Sequence, residues 1–397
     1  MSSQLISSPI RAESGITVSE VVSRRQRREF LELPWQIYAG DSAWVPPLLL
    51  ERKEFIDPRK HPFYQHGAAT PFVAYRGGRP VGRILASDDP HFNAHQRDNA
   101  GCFGMFESID EPEVAHALLD AAADWLARRG RTRILGPIDY SMNYSCGLLV
   151  DGFDKPPRVM MNHNPPYYLR LFESWGLAKA KDLFAWWFEP NKRINRWRPR
   201  VERAVARSGV TVRPFRRNDL PAEILRCRAI YNEAWKDNWG DVPMTLAEFQ
   251  YLAKFLLHLA VPDLLLMAEV NGRAVGFSLT FPDFNEAARG VNGRLFPYGL
   301  PIGLLRFWRN LKSVKTARLL ALGVIPEFRR QGVAELLILR TFDYATQQLG
   351  YNGAELSWTL EDNALINRTI EAVGGTRYKT YRIYERAIGA TNGRPHW

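Results

Sequence analysis

The chain repeats itself. Ile16-Thr17-Val18 recurs as Val210-Thr211-Val212, and Gly78-Arg79-Pro80-Val81-Gly82 recurs as Gly272-Arg273-Ala274-Val275-Gly276, both at one separation. Trp44-Val45-Pro46 has a counterpart in Trp239 to Pro243, and Glu173-x-x-Gly176 one in Glu371-x-x-Gly374, at nearly that separation. A near-constant period over four landmarks marks two copies of one unit. Each copy alternates strands and helices, which predicts an α/β fold with a mixed sheet. The expected organisation is a polar, disordered start at 1–14, a first unit at 15–190 and a second at 210–388, with a tail at 389–397. Between the units, 191–209 opens with the basic run NKRINRWRPR and reads as a connector.

The two copies differ at one turn. The second carries LGVIPEFRRQGVAELL, from Leu322 to Leu337. The apolar residues up to Val324 and Ile325 read as a buried strand, which Pro326 closes because proline cannot donate to a sheet ladder. After Arg329, Arg330, Gln331, Gly332, Val333 and Ala334, apolar residues recur at helical spacing. Gly332 and Ala334 leave successive backbone N–H groups open to a ligand. A helix N-terminus of this kind favours an anion, above all a phosphate, and the two arginines add charge there. The corresponding turn of the first copy, SIDEPE at 108–113, is acidic and would repel phosphate. One anion site is expected, in the second unit.

Composition narrows the setting. The net charge of +11 implies an acidic partner, but charge alone does not choose among phosphates, an anionic membrane face and nucleic acid. Cys102, Cys146 and Cys227 stand far apart with no CxxC, which argues against a disulfide scaffold or a zinc site and suits a reducing compartment. No metal is expected. The start lacks a basic region followed by an apolar core, and no apolar run is long enough to span a bilayer. The expectation is a cytoplasmic protein able to sit on the inner face of a membrane. The stretch 294–312 alternates large apolar side chains with Arg294, Arg306, Arg309 and Lys312. Three roles fit it: lying on an anionic membrane, walling an acyl tunnel, or packing in the core.

Several polar groups are candidates for catalysis. The loop from Ser141 to Tyr168 is long, and a loop of that length is functional or disordered; this one is too apolar for disorder. Within it His163 could serve as general base for an amine, with Tyr144 nearby, or it could be a hydrogen-bonded histidine of a packed loop. Glu233 follows a helix of the second unit and Glu355 lies on a strand beside the phosphate strand; either could accept a proton or be a structural charge.

The spacing Val324-x-Pro326-x-x-Arg329-x-x-Gly332-x-Ala334 resembles the pyrophosphate loop of the GCN5-related N-acetyltransferase (GNAT) superfamily. The resemblance implies that Leu322, Val324 and Arg329 to Ala334 hold coenzyme A. It implies that Asn363, which opens a helix ending before Gly374, touches the pantetheine arm. It also implies direct transfer of an acyl group to an amine, with a strand N–H polarising the thioester. One departure is Ile370, where the family often has a tyrosine acid; a thiolate of low basicity can leave without it. The first unit is then a degenerate GNAT-like copy. The phrases YAGDSAWVPP, CGLLVDGF and NPPYY together resemble a two-lobed bacterial GNAT-like family that includes the bacterial ceramide synthases. That implies acyl-CoA as cosubstrate and a long-chain base as acceptor, with nucleic acid disfavoured. Acetylation of a small polar amine, an aminoacyl-tRNA-dependent transferase of Fem type, and a non-catalytic acyl-CoA sensor or nucleic-acid-binding module remain as alternatives.

Overall fold

A computed structural model describes residues 10–11 and 15–389. The expected disordered start and the tail therefore lie outside the described residues, except that Ile10–Arg11 pair with the next strand. The first half contains strands β1 (Ile10–Arg11), β2 (Ile16–Glu20), β3 (Ala68–Arg76), β4 (Arg79–Asp88), β5 (Ala100–Ser108), β6 (Arg133–Gly136), β7 (Leu148–Asp151) and β8 (Ala178–Phe188). Its helices are α1 (Arg24–Glu32), α2 (Pro34–Ile37), α3 (Leu49–Phe55), α4 (Pro90–Gln96), α5 (Pro112–Ala127) and α6 (Tyr168–Ser174). The second half contains β9 (Thr211–Pro214), β10 (Leu265–Val270), β11 (Arg273–Pro282), β12 (Thr316–Val324), β13 (Gly353–Leu360) and β14 (Thr376–Ala387). Its helices are α7 (Lys192–Ser208), α8 (Leu220–Trp235), α9 (Leu246–Leu257), α10 (Phe284–Ala288), α11 (Ile302–Leu311), α12 (Val333–Gln347) and α13 (Ala364–Val373).

The sequence repeat has a packing cause. Gly82 on β4 and Gly276 on β11 are counterparts. A Cβ on Gly82 would stand 2.6 Å from Leu118 of α5, and one on Gly276 would stand 3.0 Å from Val333 of α12. Each helix lies so close to its sheet that only hydrogen fits beneath it. Leu118, Leu119, Ala122 and Leu126 of α5 and Val333 and Leu337 of α12 are fully buried against the two halves of the sheet.

The strands form one sheet in the order β1-β2-β3-β4-β5-β6-β14-β8-β13-β12-β11-β10-β9, with β7 also on β14. At its centre the halves exchange their last strands. β8, from the first half, pairs with β13 of the second; β14, from the second, pairs with β6 of the first. β8 and β14 pair with each other along their length, from Thr376 opposite Trp187 to Glu385 opposite Ala178. A boundary drawn between 190 and 210 follows the chain but not the hydrogen bonds.

The expected connector is also more than a link. Residues 192–208 form α7, capped by the Asn191 side chain on the Arg193 N–H (2.9 Å) and ended by Gly209 in the left-handed region. Ile194 and Val201 are buried against Leu339 of α12 and Val373 of α13. Arg198 grips Asp343 of α12 through two hydrogen bonds.

Two substitutions test the packing. Gly82→Val or Gly276→Val forces a branched side chain under α5 or α12 and should cost about 1–3 kcal/mol. The expected readout is a fall in Tm of several degrees for either variant, whereas Gly290→Ala, where a Cβ would meet only ordinary contacts at 3.6 and 3.9 Å and the backbone is not left-handed, should move it far less.

Candidate active site

β12 ends at Val324, and a tight turn over Pro326–Phe328 delivers the chain to Arg329. Gly332 is the N-cap of α12 with φ 80°, a left-handed conformation that side chains rarely adopt. No side chain among the described residues caps the helix, so its first-turn N–H groups remain available to an anion. The Arg329 Nη2 donates to the Ala234 carbonyl of α8 at 2.7 Å, which braces the turn. Arg330 is exposed beside it. Gln331 donates to the Glu327 carbonyl (3.3 Å), and Val333 is buried beneath the helix.

The ladder between β12 and β13 runs from Thr316–Gly353 to Leu319–Leu356. Farther on, β12 is held by β11 through Leu322–Val324, while Thr359 and Leu360 of β13 are held by β8. A cleft of about 810 Å³ opens there. Leu322, Val324, Arg329, Arg330, Ala334 and Asn363 line it; Gln331, Gly332 and Val333, expected beside them, do not. Asn363 caps α13 by accepting from the Ile366 N–H (3.4 Å), and Ile370 also faces the cleft. Arg200 of α7, Arg318, Arg329 and Arg330 outnumber Asp241 and Glu335 on its wall, so the cleft is cationic.

A second cleft of about 480 Å³ lies against the first half of the sheet. Met105, Phe106 and Glu107 of β5 line it, as β12 lines the first cleft. Its charges are of the other kind: Glu51, Glu54, Glu107 and Asp139 against Arg52, Arg83 and Lys254. Burial pushes Glu107 and Asp139 up from the usual carboxylate range despite Arg83 at 3.4 Å and Arg52 at 3.6 Å. The Tyr38 and Tyr168 hydroxyls donate to Glu107 at 2.9 and 2.8 Å. The two clefts share Tyr144, Met160, Leu252 and Leu256. Tyr144 and Met160 come from the stretch 141–168, expected as one loop but carrying β7, and together with Leu252 and Leu256 of α9 they form the partition.

The four expected catalytic groups part company. Tyr144 stands on the shared wall, its hydroxyl donating to Glu248 at 3.0 Å, and burial holds it as a neutral phenol. His163 lines the second cleft; its Nε2 is 2.7 Å from Asp41, and burial lowers its pKa below 6.5. Its buried Nδ1 has no hydrogen-bond partner among the described residues. Glu233 differs from expectation: it lines neither cleft and pairs with Lys236 on the surface at 2.6 Å. Helix α8 turns it outward one position before Ala234 and Trp235, which do face the cleft. Glu355 is enclosed rather than poised. It is fully buried on β13 between Arg318 (3.2 Å) and the Tyr378 hydroxyl, and lines neither cleft. The three cysteines are buried, and burial raises each thiol well above its usual range, which makes thiolate chemistry unfavourable.

Asp41, Glu248 and His66 are polar partners that sequence reasoning missed. His66 bridges the halves: Nδ1 is 3.2 Å from Asp89 at the start of α4, and Nε2 is 3.4 Å from Glu248 of α9. Burial alone would lower its pKa, yet the two carboxylates raise it to about 9. His66, Asp89 and His91 lie close enough to invite a metal. The rings of His66 and His91, however, stack 4.2 Å apart with planes 8° from parallel. Parallel rings cannot both aim in-plane lone pairs at one ion, so this arrangement is a charge clamp. Its pH dependence follows by linkage. A group whose folded pKa of about 9 exceeds its unfolded 6.5 contributes stability that is whole below pH 6.5 and lost as pH rises through 9. Tm should therefore fall between pH 6.5 and 9, and His66→Gln should flatten that part of the profile.

Sheet, turn and cleft together define a GNAT acyltransferase, a class that takes an acetyl- or acyl-CoA thioester and an amine. The profile of the Acetyltransferase (GNAT) family matches residues 224–368. The bacterial ceramide synthase of Caulobacter vibrioides is 38% identical over 379 residues, spanning 94% of this chain and 98% of that protein. Protein YghO of Escherichia coli K12 is 35% identical over 376 residues, spanning 94% and 95%. Among solved structures, a tandem GNAT protein from the clavulanic acid biosynthesis pathway shares the fold at 12% identity, with a TM-score of 0.57 over 95% of this chain and 100% of that one. The chain belongs to the two-lobed bacterial GNAT family that the first two relatives represent. No helix among the described residues is long and apolar enough to cross a membrane.

Proposed function

We propose that this protein is an N-acyltransferase that moves a long-chain acyl group from its CoA thioester to the amine of a long-chain base. The observation that carries this is the pair of clefts, one cationic and one rich in carboxylates, meeting at a wall that includes Tyr144. The likeness to a protein named bacterial ceramide synthase supports the lipid side.

The CoA pyrophosphate rests on the open N–H groups at the start of α12, with Arg330 beside it. The thioester lies along β12, whose N–H groups polarise its carbonyl. The acceptor occupies the second cleft. There the Asp41 carboxylate orients His163 by taking its Nε2–H, which leaves Nδ1 as the free lone pair. A histidine with a pKa below 6.5 is neutral at pH 7 and can take the proton of an ammonium. The amine then attacks the carbonyl carbon: a C–N bond forms, the C–S bond breaks with its electron pair leaving on sulfur, and the second proton shed by the nitrogen passes to that thiolate. Tyr144, a neutral phenol at the boundary, orients the reacting groups by hydrogen bonding. Ile370 in place of a tyrosine acid is tolerable because a thiolate is a good leaving group.

The test is mass spectrometry of products from palmitoyl-CoA and sphinganine, with acetyl-CoA and a polyamine in parallel. An N-palmitoylated base is expected. Arg330→Ala should raise KM for palmitoyl-CoA about tenfold with little change in kcat, since it removes one charged contact to phosphate. His163→Gln should lower kcat by about 10²–10³ at pH 7, the contribution of one positioned base. Wild-type kcat should fall as pH drops below 6.5, and the variant's residual rate should not. Only an acetylated polyamine would sink the lipid assignment; no N-acyl product of any kind would sink the transferase.

A further inference from the structure

The second cleft has a mouth, and large apolar side chains stand on it beside the exposed Lys254 and His258. Leu50 and Phe255 stand on it, 54% and 40% exposed. Leu295 and Phe307 line the cleft just inside. These two belong to the insertion between β11 and β12, whose outer surface is unusual. Tyr298 is 99% exposed, Leu305 66% and Trp308 51%, with Phe296, Leu300 and Ile302 about half exposed beside them. Soluble proteins seldom leave so many large apolar side chains together in water.

The surface is built, not loose. The Leu304 N–H of α11 donates to the Leu295 carbonyl at 2.9 Å. Arg306 Nη1 donates to the Gly290 carbonyl at 3.0 Å, and a Cβ on Gly303 would collide with the Arg294 carbonyl at 2.0 Å. Phe307 and Gly303 turn inward and are buried, so α11 is two-faced. Tyr298 sits at φ 56°, a left-handed conformation that a tyrosine adopts only under constraint.

Charge names the partner. Arg306 and Arg309 are exposed on α11, the first following Leu305 and the second following Trp308, and Lys312 comes after them. Guanidinium groups interleaved with indole, phenol and leucine on one outward face match the headgroup layer of an anionic bilayer, where phosphates meet the arginines and the aromatic rings settle at the interface. We infer that residues 294–312 dock on an anionic lipid bilayer and that the second cleft opens onto it. The acceptor then enters laterally, head first toward Glu107 and Asp139, with its chain still among lipids. This rests on the assignment of the second cleft to the acceptor.

The test uses the full chain and vesicles of phosphatidylethanolamine with one-third phosphatidylglycerol, set against phosphatidylcholine alone. Co-sedimentation should favour the anionic vesicles at least tenfold at low salt. Leu305→Asp with Trp308→Asp changes only exposed side chains outside both clefts, and should reduce that binding at least tenfold with Tm unmoved. Its rate on sphinganine embedded in vesicles should fall at least tenfold, and its rate on a soluble short-chain amine should hold. Equal binding by variant and wild type, or no preference for anionic vesicles, overturns the inference. So does a wild-type dimer that the double variant dissolves, because the face would then belong to a second copy. Vesicle binding that is lost in the variant, without N-acylation of any amine by the wild type, would sink the transferase but leave the membrane surface standing.

Discussion

The exchange of last strands at the centre of the sheet is the constraint on which the rest depends. β8 and β14 are each made by one half and seated beside the other. Both are antiparallel to their neighbours, so every exchange is hydrogen-bonded along its length. Because β13 and β6 are thereby held one strand pair apart, the clefts that open beside them face one another across the stretch 141–168. Two separate copies of the unit, joined by a flexible linker, would not bring the clefts to a common wall. The buried bridge of Asp89, His66 and Glu248 fastens the same junction from the side, and Tyr144 hangs from Glu248 within it.

A common wall permits a division of labour by charge. A CoA pyrophosphate and an ammonium acceptor attract, and in one undivided cleft each would compete for the other's partners. Here four arginines face two carboxylates on one side, and four carboxylates face three cations on the other. The carboxylates of the second cleft are neutralised in part by Arg83 and Arg52, which keeps them from closing on each other and leaves an acidic balance. Burial raises Glu107 and Asp139, so neither is a fully committed counterion.

Much of this was legible in the residues. The repeat was visible because Gly82 and Gly276 perform the same steric task, and a steric task leaves the same residue. The turn before α12 was visible because open amides need glycine and small residues at fixed spacing. The strand exchange was not, because β8 and β14 carry the same alternation whichever sheet receives them; pattern fixes a strand's faces, not its neighbour. Glu233 was drawn in by chain position, yet a rotation of α8 by one residue decides which side chains face a cleft. Asp41 and Glu248 were missed for the converse reason. Each is more than a hundred residues from the group it touches, and nothing local marks a partner brought in by the fold. The run 191–209 read as a linker because six arginines outweigh its apolar stripe, yet Ile194 and Val201 suffice to hold α7 on α12 and α13.

The first unit shows why a copy can lose its ligand and keep its fold. Its turn after β5 replaces the glycine-opened amides with Glu111 as N-cap and Pro112 at the first helical position, and Glu111 and Glu113 are spent on Arg76. An anion has no seat there. The opening beside β5 survives nonetheless, because it is set by the sheet and not by the turn. It is lined by four carboxylates and three cations, by His163 backed by Asp41, and by the half-exposed apolar Leu50 and Phe255. A cavity with a proton acceptor at its polar end and a greasy mouth suits an amphiphilic amine better than a nucleotide. On the proposed assignment of the second cleft to the acceptor, duplication supplies one substrate site from the geometry of the other, and the change needed was the chemistry of a single turn and of the side chains around one cleft.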